Sequence, residues 1–543
     1  MEYAPAATPA ERSDHYRRFG YQSDISLTSL MVRNRDELGH LPAVFDGDIE
    51  LSWRQLVDTA SRFGGFLHAR GVGAGDVVVW QLPNWWESLV VAYGIWAVGA
   101  ISSPVVPIYR EFELRNVIGA VSPRCVVAAK SFRDRAHVDM IAAACADVGC
   151  EPAVQVVLRG SAPGWTAFED AVTAAPFVAG NIDVDAPALV GWTSGTTSGA
   201  KGVVHSTRSF LSSPLRSTRL NSVGWNERSY MPAPIAHATG LLSAIAVPAF
   251  AGCSTVIRDS WDAERMIDDI ARYGVTFSAG AAVFMRDVLN ALAARGMTRM
   301  PLAAGYPCGG STIPTILAEE CDDAGMLPAR SWGMTECPSV SASSPRLNSR
   351  AIRTSTDGLI APGCAVRVVG DDGTELPIGE AGEMLARGPQ RALGYLDPAH
   401  TKDSFDDDGW FRTGDVGFVD ARGTVTVTGR VKEIINRGGE KLSSREIEDA
   451  LTGHPAVREA AVIPAPHPRL GEQPAAFVLA RSGTTPQELP AYLRSTGMAP
   501  QKIPQVWRFV DDLPRTASGK VRKSELQSEL EAERPGEGVP PEA

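Results

Sequence analysis

Apolar positions along this chain fall on two different periods. In LSWRQLVDTASRFGGFLHARGV, residues 51–72, Leu56, Ala60, Phe63 and Leu67 recur at three- and four-residue spacing. That spacing predicts an amphipathic helix. DVVVWQLP (76–83) is a short continuous apolar run, which predicts a buried strand. WESLVVAYGIWAVGA (86–100) predicts the next helix and ISSPVVPI (101–108) contains the next strand. RCVVAA, VQVVLR and STVIRD add further strands. Such alternation predicts an α/β protein whose sheets are covered by helices.

The stretch 89–109 is long enough to span a membrane, but Gly94, Gly99, Ser102, Ser103, Pro104 and Pro107 break it. A buried helix running into a buried strand is the expectation, with no membrane span. The texture changes after about residue 360. CAVRVVGDDGTELPIGEAGEMLARG and GFVDARGTVTVTGR have hairpin patterns, the second turning at Ala421–Gly423. SSREIEDALTGHPAVREAAVIPA then predicts helix and strand, with Ser443 or Ser444 as the helix cap. The tail EAERPGEGVPPEA has the composition of a disordered segment. The expected organisation is a large N-terminal domain over 1–430 with a β-rich subdomain, a small mobile α+β C-terminal domain over 431–530, and a disordered tail over 531–543.

Composition narrows the function classes. With 543 residues, the chain exceeds what one core serves. Its net charge of −11 argues against nonspecific nucleic-acid binding. No pair among the eight cysteines has C-x-x-C spacing, so a zinc cluster or redox pair is unsupported. Scattered thiols and the lack of a basic-then-apolar N-terminus predict a cytoplasmic protein with reduced thiols. The oligomeric state, monomer or homodimer, is left open.

The chemistry starts at GWTSGTTSGAKGVV, residues 191–204. A Walker loop needs Lys directly after its second Gly; here Ala200 separates Gly199 from Lys201, and Gly202 follows where a hydroxyl is required. The G-x-G-x-x-G dinucleotide pattern fails as well. What remains is an apolar strand, ALVGW, entering a loop of backbone N–H groups and hydroxyls that can wrap the β- and γ-phosphates of ATP. Lys201 can neutralise a departing pyrophosphate.

TSGTTSGAKGVVHS resembles the signature loop of the adenylate-forming superfamily, which includes acyl-CoA synthetases. APIAHATG (233–240), SWGMTE (331–336), WFRTGD (410–415), GRVKEIINRGGEKLSSREIE (429–448) and PRTASGKVRKSEL (514–526) follow in family order. The resemblance covers about residues 30–530, and the whole chain is similar to short/medium-chain and cyclohexanecarboxylate-type CoA ligases. It implies that Thr193, Ser194, Gly195, Thr196, Thr197 and Lys201 hold ATP phosphates. Glu336 would bind Mg²⁺ and Thr335 the α-phosphate. Gly309, Gly310, Trp332 and Gly333 would border adenine, with Trp332 standing where the family usually has Tyr. Asp415 and Arg430 would take the ribose. His237, Ala279, Gly280 and Met334 would line the acyl pocket. Lys432 would be the hinge, and Gly438 and Gly439 would flank the coenzyme A channel. Lys520 would bridge the substrate carboxylate and the α-phosphate, with Lys523 the competing lysine.

The implied reaction has two steps, acyl-AMP formation and then thiol attack, with ATP, Mg²⁺ and coenzyme A as cofactor and co-substrates. A carboxylate is a poor electrophile, and AMP supplies a good leaving group. Two anions must meet, so cations and dipoles must converge. Free coenzyme A is the first acceptor reading and a separate carrier protein the second; a noncatalytic nucleotide-binding homologue is a third. Ser278, Ala279, Gly280 and Ala281 are small and uncharged. They point to an apolar acid, medium-chain or alicyclic, whether they open a deep pocket or pack tightly.

Overall fold

A computed structural model of the chain describes every residue except 1–2, 4, 7, 194–199, 301, 304, 311–312, 439, 482–487, 517–518 and 533–543. The first amphipathic pattern forms a helix, Trp53–Ala69. Ser52 caps it in a reciprocal box with Gln55, and Leu56, Ala60, Phe63 and Leu67 are fully buried. The apolar stretch 89–109 divides into a helix, Trp86–Ala97, and a strand, Ile101–Pro104. Gly99 joins them at φ +73°, backbone that glycine adopts freely. The helix Trp86–Ala97 is buried all round because it packs on Trp53–Ala69 and under the segment 241–249, where Tyr93 Oη donates to the Ile245 carbonyl at 3.1 Å. No helix among the described residues is long and apolar enough to cross a membrane.

The glycine-rich loop leaves an eight-stranded sheet. Its order is Gly394–Tyr395, Lys201–Ser206, Pro187–Thr193, Ile101–Pro104, Val77–Gln81, Cys125–Ala129, Val154–Leu158, Thr166–Ala167. The strands are parallel from Pro187–Thr193 to Thr166–Ala167, and the two at the other edge are antiparallel. A second sheet sets Phe277–Ser278, Arg228–Met231, Ser254–Ile257 and Pro42–Asp46 in parallel, with Ile49–Ser52 antiparallel at its edge. A third sheet runs Tyr306–Cys308, Pro328–Met334, Cys337–Ala342, Leu359–Ile360.

The β-rich part is an antiparallel sheet of Ala365–Val369, Gly382–Arg387, Phe411–Val419 and Val425–Arg430. The last sheet combines Glu440–Ser443, Ile434–Arg437, Gly471–Ala480 and Val457–His467, with Val506–Phe509 parallel to Gly471–Ala480. It has its own apolar cores, around Ile435, Leu451 and Val462 on one side and Phe477 and Leu513 on the other. Ser443 caps the helix Ser444–Thr452, accepting from the Glu446 N–H. The fold is α/β, a large N-terminal domain of helix-covered sheets with a β-rich subdomain, followed by a small α+β domain.

Candidate active site

Thr335 and Glu336 are the two turn residues of a hairpin between Pro328–Met334 and Cys337–Ala342, in which Met334 pairs with Cys337. A register shift between Trp332 and Met334 brings Gly333 against Ser339. A Cβ on Gly333 would lie 2.4 Å from the Ser339 nitrogen, so only glycine fits there. The tip points at the loop strands. Thr335 Cγ2 lies 3.0 Å from where a Cβ on Gly191 would be.

Two side chains fix that tip, and both are invisible to motif reasoning. His205, buried on Lys201–Ser206, holds the Thr335 carbonyl at 2.8 Å through Nε2 and the Ser209 hydroxyl at 3.0 Å through Nδ1. Burial pushes its pKa down to about 4, against the opposing bond to Thr335. Tyr395 donates its hydroxyl to Glu336 Oε1 at 2.6 Å, and its ring centroid lies 5.6 Å from Lys201 Nζ. Burial, and then the Glu336 charge, raise the Tyr395 pKa, so the phenol stays a donor. Tyr395 reaches this spot because Gly394–Tyr395 pairs with Val203 and Val204 beside the loop. Thr193 and Lys201 face each other across the hairpin mouth. Ser194, Gly195, Thr196 and Thr197, between them, lie outside the described residues.

Asp415 and Arg430 are cross-strand partners. Arg430 Nε donates to Asp415 Oδ1 at 2.7 Å, and the Trp332 indole N–H donates to Oδ2 at 2.7 Å. The Asp415 charge is the main cause raising the Arg430 pKa. A carboxylate has about four acceptor sites, so Asp415 can still take two hydroxyls. The Trp332 ring is buried in the β-rich core, and half-buried Met334 packs on that same cluster. Trp332 therefore orients Asp415 as a donor.

Lys520 arrives from the C-terminal domain on a tight loop. Arg515 bridges to Val521 and pairs with Glu459, while the Lys520 N–H donates to Thr516 Oγ1 at 3.1 Å. Gly519, at φ +85°, presses on the large domain: a Cβ there would lie 2.5 Å from Val283 Cγ1. Lys520 is open to solvent yet ringed by protein, as expected of a side chain lining a cleft. Burial and the Arg430 charge depress its pKa; Asp415, Glu336 and Glu433 oppose them. The same ammonium acts on His237, whose pKa burial first and Lys520 second push down to about 4. His237 Nδ1 accepts from the Thr239 N–H at 3.4 Å, so the neutral ring carries its proton on Nε2. Lys523 is engaged elsewhere, on Glu433 at 2.7 Å and Glu448 at 2.8 Å.

The strand end at Ala279 and Gly280 closes the other wall. Gly280 donates to the Pro307 carbonyl and accepts from Gly309, each at 3.2–3.3 Å. A Cβ on Gly280 would meet Tyr306 Oη at 2.7 Å and Phe284 Cδ2 at 2.9 Å; one on Gly309 would meet the Ser331 carbonyl at 2.6 Å. Gly310 has φ +77° and open space around it. Lys432 sits exposed in the short turn Val431–Glu433, and exposed Gly438 has φ +63°. Gly439 lies outside the described residues.

A magnesium site can be tested against this geometry. Tyr395 occupies Glu336 Oε1, and nothing else among the described residues bonds Oε2. Among the described residues no group of three or more ligating side chains exists. Magnesium takes one or two carboxylates and completes its shell with phosphates and water. A lone carboxylate fits an ion that would arrive with a nucleotide.

The model of the AMP-binding enzyme family matches residues 33–396, and that of the AMP-binding enzyme C-terminal domain matches 446–520. The chain belongs to the AMP-binding enzymes. It is 31% identical over 533 residues to the medium-chain fatty-acid–CoA ligase of Escherichia coli (strain K12), covering 96% of this chain and 93% of that one. It is 30% identical over 518 residues to the 3-[(3aS,4S,7aS)-7a-methyl-1,5-dioxo-octahydro-1H-inden-4-yl]propanoyl:CoA ligase of Rhodococcus jostii (strain RHA1), covering 92% and 98%. Among solved structures, ATP-bound MatB from Rhodopseudomonas palustris aligns with TM-score 0.83 at 29% identity, over 93% of this chain and 99% of that one. This AMP-binding enzyme is an AMP-forming acid–thiol ligase of the acyl- and aryl-CoA ligase group, with ATP, Mg²⁺ and coenzyme A as its small-molecule partners.

Proposed function

We propose that the enzyme joins an apolar carboxylic acid to coenzyme A in two steps. The acid's carboxylate oxygen attacks the α-phosphorus of ATP, forming acyl-AMP and releasing pyrophosphate. The thiol sulfur of coenzyme A then attacks the acyl carbon, and AMP departs. The observation carrying this reading is the convergence of Lys520 with Glu336, Asp415, Arg430 and His237 at one cleft.

Each residue has a role that follows from its chemistry. Lys520 is a compact cation with three donors and spans two anions. Lys201 and the loop 193–197 neutralise the β- and γ-phosphates. Thr335 donates to the α-phosphate, and Glu336 would hold a magnesium ion that would offset phosphate charge. Asp415, oriented by Trp332 and Arg430, takes the ribose hydroxyls, with adenine against Gly309, Gly310, Trp332 and Gly333. Neutral His237 offers Nε2–H to the carboxylate without adding a charge. Lys432 is the hinge between a domain over 1–430 and one over 431–530. Rotation about it withdraws Lys520 and brings Gly438 and Gly439 to the pantetheine path.

Small, uncharged Ala279, Gly280 and Ala281, with Met334, support an apolar medium-chain or alicyclic acid. The names of the Escherichia coli and Rhodococcus relatives agree with that class. Eight free thiols, six of them buried, support residence in a reducing cytoplasm.

The test is a panel of such acids with ATP and Mg²⁺, reading AMP release and thioester with and without coenzyme A. Thioester on coenzyme A supports the proposal. Pyrophosphate exchange without thioester redirects it to a carrier-protein acceptor, and no exchange with any acid overturns it.

A further inference from the structure

Four charged side chains meet where the small domain leans on the large one. Arg330, 3% exposed, lies on Pro328–Met334, the strand that carries the Thr335–Glu336 tip. Its Nη2 donates to Asp357 Oδ1 at 2.8 Å. Asp357 Oδ2 takes the Val427 N–H at 2.9 Å and faces Arg445 Nη2 at 3.8 Å. Arg445 comes from the other domain, on the helix Ser444–Thr452, and its Nε lies 3.7 Å from Asp449 Oδ2 one turn on. Asp357 and Arg445 are both at least nine-tenths buried.

This arrangement differs from an exposed ion pair between the domains. Lys441 and Asp371 also pair across the boundary, but their side chains are 57% and 87% exposed. Such a pair is screened and contributes little. Arg445–Asp357 is shielded from water, where attraction is stronger and loss of one partner costs more. The quartet also divides evenly. When the domains part, Arg330 keeps Asp357 and Arg445 keeps Asp449. Neither surface is left with an unpaired buried charge, so the contact can open and close repeatedly.

We propose that Arg445 and Asp357 form a reversible latch that holds the small domain in the orientation presenting Lys520 to the cleft. Arg445 acts through Lys520 and is a positioning residue. The proposal rests on the two-step reading above, and in particular on domain rotation between the steps.

Two readouts test it. The first needs no acid. Energy transfer is measured between dyes on Val178 and Ser495, both exposed and one in each domain, in full-length enzyme with ATP and Mg²⁺. Arg445→Met is expected to broaden the distance distribution, Arg445→Lys to restore part of the closed population, and Asp371→Asn to match wild type. An Arg445→Met distribution identical to wild type overturns the latch. The second readout uses the acid found by the panel. Arg445→Met is expected to slow pyrophosphate exchange about tenfold, within the range that coupled buried pairs show, while thioester formation from presynthesised acyl-adenylate stays near wild type. Equal loss of both steps overturns it. If wild type activates no acid, the two-step reading fails, and the distance measurement still judges the latch.

Discussion

Lys520 shows how much can rest on one side chain. Burial and Arg430 depress its pKa, yet Asp415, Glu336 and Glu433 face it, so the site tolerates a cation while waiting for anions. Lys520→Ala is expected to lower acyl-adenylate formation by about 10²–10³, the scale of removing a preorganised electrostatic donor. Thioester formation from presynthesised acyl-adenylate should change little, because the proposed rotation withdraws the lysine before that step. Measuring the two half-reactions separately checks this, and parallel losses would contradict it. His205 offers a second check at the same scale. Its pKa is about 4 in the folded protein, against the 6.5 of a free histidine. The folded state therefore binds fewer protons than the unfolded state between those values. Stability from this group is unaffected above pH 6.5, falls as pH drops through the window, and levels off near 4. The full loss is about 3 kcal/mol. Denaturant midpoints from pH 7 to 4.5 should show this slope, and a His205→Gln variant should flatten it.

At the scale of elements, the site is assembled from turns and strand ends. The hairpin carrying Thr335 and Glu336, the loop strands, and the strand end at Gly280 each deliver one or two groups, and close backbone approach sets the spacing. Gly280 is one of these close approaches. A methyl there would collide with Tyr306 Oη and Phe284 at under 3 Å. Gly280→Ala is expected to lower the thermal midpoint and, in whatever protein folds, to raise KM for the acid more than KM for ATP. A KM for ATP that rises equally would place Gly280 outside the acyl wall. The elements themselves were largely legible. The helix Trp53–Ala69 and the strands Val77–Gln81, Cys125–Ala129 and Val154–Leu158 follow their periodicity, because burial of one face or both leaves a local trace. His205 and Tyr395 were not legible as site residues. Each acts through a partner more than fifty positions away, and no local pattern records that.

The whole molecule brings together two domains with separate cores. Lys520 and the Glu336 tip are far apart in sequence, and the wedge of Gly519 against Val283 joins them. Only one described carboxylate at the tip is open to a metal, so the protein alone should not retain magnesium. EDTA is expected to abolish pyrophosphate exchange while leaving the thermal midpoint of nucleotide-free enzyme unchanged. A large fall in that midpoint would reveal a structural ion and contradict the site described above. The resemblance of the ordered motifs to the adenylate-forming superfamily singled out the loop, Lys520, Asp415 and Arg430 in the sequence. What they could not disclose was mutual arrangement. That Arg430 and Trp332 share Asp415, that Lys523 is spent on Glu433 and Glu448, and that Arg445 reaches Asp357 all depend on strand register and domain docking. The sequence by itself determined which chemical groups are present and which elements bear them, because periodicity and turn chemistry are local. Tertiary structure alone decided which charges face each other, because Coulomb and hydrogen-bond energies depend on distances that only the folded chain defines.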